Sequence, residues 1–198
     1  MTGNEIVTAI NDSATTLDIA AGRLSPDALI DGASYIPDSY FRSGMRFWAL
    51  WQGAASVIQI SDAIAGNRVL QNDPNQVAWI YSRAVVPCRS NATYEVTGSF
   101  RRPGTTGSAG TIYLAVILMD ANGANITGDG AWWYYPVVGV ALTDTVWHSY
   151  SAQFGAGTAR TFPANARFMT VGATLNYDGS VPGNRTYQVA GLEIARVP

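Results

Sequence analysis

At 198 residues, with 47% apolar side chains and Trp 6, Tyr 10 and Phe 6, the chain can bury one self-sufficient core and is not a disordered polymer. Only 13% of residues are charged, against about 25% in an ordinary soluble domain, and all twelve cations are arginine. The net charge is −2 and Arg101–Arg102 is the sole basic pair, so a phosphate-tracking surface is absent and nucleic acid is excluded as a partner.

Single residues exclude more. One cysteine (Cys88) rules out an internal disulfide framework, and one histidine (His148) rules out a site that needs two. Nowhere do about 18 apolar residues run together, so no membrane-inserted helix is expected. The start, MTGNEIVTAINDS, lacks the basic and apolar blocks of a secretion signal. Retention where it is made, or release with a particle on lysis, fits that start. The sequons at Asn11, Asn91, Asn125 and Asn184 therefore carry no weight.

The chain changes character near Asp31–Gly32. Before that point no aromatic residue occurs, and after it all of them do. Residues 1–32 are aliphatic and small-polar and cannot form a core alone. They read as an extended attachment or oligomerisation segment, with breaks at Gly22 and Pro26. Residues 33–198 form the domain proper.

From Tyr35 onward the pattern is strand, turn, strand. Alternation marks 56–60, 67–70 and 77–82, the last placing Trp79 and Tyr81 on one face and Ala78 and Ile80 on the other. Core packing is the expected role of that Trp–Tyr pair. Residues 93–100 alternate cleanly, and 111–119 form an apolar run long enough for a central strand. Asp120-Ala-Asn-Gly follows as a hairpin turn. Strands at 145–154, 168–177 and 186–197 complete about eight, with no amphipathic helix of useful length. The fold class is all-β, a sandwich or barrel.

The sharpest local feature is Trp132-Trp133-Tyr134-Tyr135. In an extended segment, alternation sends two rings to each face. One pair can fill the core; the other needs a use outside it. Aromatic faces stack on the C–H faces of sugar rings while nearby polar groups bond the hydroxyls. Asp129, in the Gly128-Asp-Gly loop before the quartet, and Tyr177, beside Asp178-Gly179, join these four as candidate ligand-binding residues.

Catalysis finds little support. A glycosidase needs two carboxylates about 5–10 Å apart; Glu95 and Glu193 sit in expected strands, and nothing in the spacing of Asp129, Asp144 and Asp178 pairs them. His148 lies in TVWHSY without a nucleophile elbow, and Cys88 reads as an inert buried thiol. No phosphate loop or dinucleotide fingerprint occurs, so no cofactor is expected.

Four stretches resemble the jelly-roll carbohydrate-binding modules that accompany xylanases and related glycosidases. They are the opening Ile36–Trp48, the Thr-Tyr strand from Asn91, LTDTVWHSYSAQF from Leu142, and the closing YQVAGLEI from Tyr187. That resemblance implies a jelly-roll β-sandwich and a glycan ligand. Many such modules hold a structural calcium through an acidic residue in the last strand; the matching positions here are Ala190 and Gly191, so no metal site is carried over. The head, from Glu5 through Leu24, resembles connecting segments of bacteriophage tail-tip and tail-fibre proteins, which often associate as trimers.

Together these resemblances imply a non-enzymatic virion tail component, homotrimeric in the sense that identical copies bury residues 1–32 against one another. It would contact other tail proteins and bind a host cell-surface glycan through its aromatic platform. A purely structural virion protein and a module of a glycan-active enzyme are the competing expectations.

Overall fold

The computed structural model describes residues 34–107, 109–127, 133–179 and 181–197. The expected attachment segment, residues 1–32, lies outside them, as do Asp129 and Trp132. Twelve strands follow in chain order: β1 (Trp48–Gly53), β2 (Ala55–Gln59), β3 (Arg68–Asn72), β4 (Ala78–Ser82), β5 (Val86–Pro87) and β6 (Thr93–Arg101). The second half holds β7 (Thr111–Met119), β8 (Trp133–Val140), β9 (His148–Gly155), β10 (Phe168–Asp178), β11 (Val181–Pro182) and β12 (Gln188–Arg196).

They form two sheets. One has the order β1-β4-β10-β7-β8, with β5 and β11 also paired to β10; the other has the order β2-β3-β12-β6-β9. The pairings are antiparallel, and the chain repeatedly crosses from one sheet to the other, as a jelly-roll sandwich requires.

Alternation explains which side chains meet between the sheets. In β6, Tyr94, Val96 and Phe100 are buried while Thr93, Glu95, Thr97 and Ser99 are half-exposed. Ile112, Leu114, Val116 and Leu118 of β7 and Met169, Val171, Ala173 and Leu175 of β10 meet them from the opposite sheet. At about 25 cal/mol per Å² of apolar surface removed from water, this interior is the main stabilising term.

The aromatic entry stretch plugs one part of that interior. Trp48 and Phe41 are fully buried with ring centroids 4.8 Å apart, and Trp48 Nε1 donates to the Asp38 carbonyl at 3.0 Å. The Asp38 carboxylate accepts the Arg42 and Ser43 N–H groups at 2.6 and 2.7 Å, so it is spent on the turn. Near Ala190 and Gly191 the chain closes on itself: Gly191 N donates to Ser39 O at 2.9 Å, and Ser39 Oγ donates to Glu193 Oε1 at 3.0 Å.

Two boundaries differ from expectation. The strand expected from Thr145 starts at His148, because Asp144 accepts the Val146 N–H and holds His148 Nε2 at 2.7 Å, which makes 144–147 a turn. Strand β1 was not anticipated. Its WALWQG stretch lacks alternation, and its register with β4 shifts between Leu50 and Gln52.

Candidate functional site

The seven-stranded sheet has a second apolar cluster on the side facing away from the other sheet. It contains Ala115, Ile117 and Trp133, with Trp79, Tyr81 and Tyr135 packed against it. The alternate residues of the same strands, Ile80, Leu114, Val116 and Tyr134, pack into the main core. Trp79 and Tyr81 are therefore not interior side chains. The expectation of core packing is corrected: Ala78 and Ile80 take the inward positions, and the pleat sends the rings outward.

Five of the outward rings form a closed circuit. Trp79 meets Trp133 at 5.4 Å, Trp133 meets Tyr135 at 6.5 Å, and Tyr135 meets Tyr113 at 5.2 Å. Tyr113 meets Tyr177 at 5.5 Å, and Tyr177 returns to Trp79 at 6.3 Å. Trp51, 43% exposed, extends the group through Tyr81 at 6.4 Å. Four of the five contacts are edge-to-face, the arrangement favoured by ring quadrupoles, and each is worth about 0.5–1.5 kcal/mol beyond burial.

Local sequence decides how two of these rings get there. Trp133 lies over Gly172 of β10: a Cβ there would stand 2.8 Å from Trp133 Cζ3 and 2.7 Å from the Ile80 carbonyl oxygen. Only glycine leaves room for that indole. Tyr177 depends on a bulge. Simple alternation from Thr174 would turn residue 177 inward, but the β10–β7 register shifts between Thr174 and Tyr177, and Asn176 adopts φ 62°. Asparagine tolerates that conformation. Its amide is fixed there, donating to Gln76 O and Gly183 O at 3.1 and 2.9 Å and accepting Arg185 N at 2.9 Å.

The aromatic quartet is thus divided. Trp133, only 1% exposed, and Tyr135 belong to the outward circuit, together with Tyr177. Tyr134 points the other way, with its ring 5.6 Å from Phe154 and its hydroxyl donating to Thr127 O at 2.7 Å. It is removed from the set of ligand-facing candidates. Trp132 and Asp129 lie outside the described residues. Sequence reasoning missed Tyr113, which looked like one more member of an apolar strand, and misassigned Trp79 and Tyr81. Their same-face spacing was visible, but nothing local told which face was inside.

Two of the groups weighed for catalysis, Asp144 and His148, bond to each other at 2.7 Å. The His148 hydrogen bond holds the Asp144 carboxyl below the usual carboxylate range. Burial pushes the Cys88 thiol up to about 11, so it is protonated at neutral pH and a poor nucleophile. Among the described residues no three His, Cys, Asp or Glu side chains come together as metal ligands.

The xylan-binding CBM22-1 domain of Paenibacillus barcinonensis Xyn10C superposes with a TM-score of 0.52 at 15% identity, over 80% of this chain and 91% of that one. A xylan-binding domain from CBM 22 gives 0.50 at 18% identity, over 84% and 96%. The likeness is one of fold. The CBM22-1–GH10 modules of Clostridium thermocellum xylanase 10B, complexed with xylohexaose, give 0.53 at 14% identity; there the match spans 80% of this chain but only 28% of the larger one. No protein-family model and no curated protein sequence matches the chain.

Proposed function

We propose that this domain is a non-catalytic glycan-binding module whose ligand stacks on the outward aromatic circuit of the seven-stranded sheet. One observation carries the reading: five rings from four strands, Trp79, Tyr113, Trp133, Tyr135 and Tyr177, gathered on a face that the sandwich does not need for its core. Apolar platforms with a few polar groups are how proteins hold sugar rings. The fold shared with xylan-binding modules supports it.

The decisive experiment is a glycan array of neutral plant hexasaccharides and bacterial surface polysaccharides, read with wild type and Trp79→Ala. Wild type should bind, and the variant should bind at least about thirtyfold more weakly, as loss of a central aromatic anchor does. A Ser99→Ala, Ser149→Ala double variant on the other sheet should match wild type. Equal binding by Trp79→Ala would refute the assignment of the face.

For setting, the proposal is a virion tail-fibre or tail-tip component that recognises a host surface glycan, with residues 1–32 joining identical copies. Its support is the likeness of that segment to phage connecting segments. Light scattering should then give a trimer for the full chain and a monomer for residues 33–198, with avidity lost on truncation. The fold likeness to xylanase-borne modules favours a second reading, a module of a glycan-active enzyme. A monomeric full chain that binds xylan would decide for it.

A further inference from the structure

Three polar atoms on the aromatic face are buried without a hydrogen-bond partner: Trp79 Nε1, Trp133 Nε1 and Thr174 Oγ1. Thr174 is the informative one. It lies on β10 directly opposite Trp79 of β4 on one side and Tyr113 of β7 on the other. Directly opposed residues share a face, so its hydroxyl belongs to the ring-lined side, with Tyr177 three residues further along the same strand. Its neighbours Ala173 and Leu175 are in the main core, which confirms the pleat. Thr174 is 1% exposed.

The contrast with Thr170, two positions before Gly172 on the same face, sharpens the point. Thr170 is equally buried, yet its hydroxyl donates to Ser82 O at 2.9 Å. A threonine whose role is to tie strands together finds a partner in this sheet. Thr174 does not. A buried hydroxyl without a partner is a net cost to the free protein, and valine would fill the same volume without that cost.

We infer that Thr174 is the specificity-determining residue of the aromatic face, giving and taking hydrogen bonds with a ligand hydroxyl. The inference rests on the glycan reading and deepens it. The Thr174 hydroxyl is uncharged and both donates and accepts, which suits the hydroxyl and ring oxygens of a saccharide. In the free protein the rings of Trp79, Tyr113 and Tyr177 stand beside this position, so the ligand reaches the hydroxyl by displacing a ring edge rather than by resting on a finished surface.

The test is Thr174→Val, with Thr174→Ser as the conservative rescue, run on the same array and in thermal melts without ligand. Thr174→Val should melt about 2–4 °C higher than wild type, because it removes an unpaired buried hydroxyl. It should also bind about tenfold more weakly to the glycans that wild type retains, the loss expected for one hydrogen bond. Thr174→Ser should bind within about threefold of wild type, since it keeps the hydroxyl. A lower melting temperature for the valine variant would overturn the inference, since the hydroxyl would then be satisfied inside the protein. Unchanged binding by the valine variant, with Trp79→Ala still impaired, would overturn it and leave the glycan reading intact. An array on which wild type itself binds nothing removes both.

Discussion

The two outer faces of this sandwich are built to opposite plans. On the five-stranded sheet the outward groups bond to one another: Ser99 Oγ meets Ser149 Oγ at 2.9 Å, and Gln188 Nε2 donates to Gln71 Oε1 at 2.7 Å. Arg101 donates Nε to Gln188 Oε1 at 2.6 Å, forms a two-pronged ion pair with Asp62, and sits 5.0 Å from the Trp147 ring centroid. On the seven-stranded sheet the outward groups are rings, and three of the polar atoms among them have no partner. A face whose hydrogen bonds are consumed internally is finished. A face that keeps apolar area and unpaired polar atoms carries a cost in the free protein.

Three changes would break or sharpen that contrast, beyond those already given for Trp79 and Thr174. The largest effect belongs to neither face. Trp48→Ala empties a fully buried site between the sheets and should cost about 3–5 kcal/mol of folding free energy in urea denaturation. A loss below about 1 kcal/mol would mean that the entry stretch is not part of the core. Gly172→Ala comes next. Its Cβ would press on both Trp133 and the Ile80 carbonyl oxygen, so about 1–3 kcal/mol should be lost to overpacking and the circuit should be disturbed. Near-ultraviolet circular dichroism should register the displaced indole, and an unchanged spectrum would deny that Trp133 rests on β10.

The smallest effect tests the polar face. The Arg101 side chain beside Asp62 holds its carboxyl below the usual carboxylate range. A depressed folded-state pKa stabilises the protein when the pH is above the unfolded value. That contribution is lost as the pH falls through the folded value. Asp62 is solvent-exposed, so the contribution is small and screened by salt. Thermal melts of wild type and Asp62→Asn should therefore differ slightly at neutral pH and converge in acid, while glycan binding stays the same. A gap that widens in acid would have the wrong sign for this ion pair.

Much of the fold was legible because pleating is local. The alternation in Thr93–Phe100 and the apolar run Thr111–Met119 appear in the structure as β6 and β7. The quartet announced that rings would lie on both sides of a strand, and Trp133 and Tyr135 against Tyr134 do so. Illegible were the elements whose conformation depends on distant partners. β1 carries no alternation and is defined by its pairing with β4. The position of Tyr177 follows from the positive φ at Asn176, which is held by carbonyls at Gln76 and Gly183.

By itself the sequence determined an all-β chain, its strand periodicity and the aromatic richness of one stretch, since each of these is set by composition or by neighbours one or two residues apart. Which side of each strand became interior, and which rings met, was decided only in three dimensions. Of the neighbours β4, β10, β7 and β8, only β7 and β8 are consecutive in the chain. Pleating tells a strand that it has two faces; only the second sheet, by covering one of them, tells it which face is left uncovered.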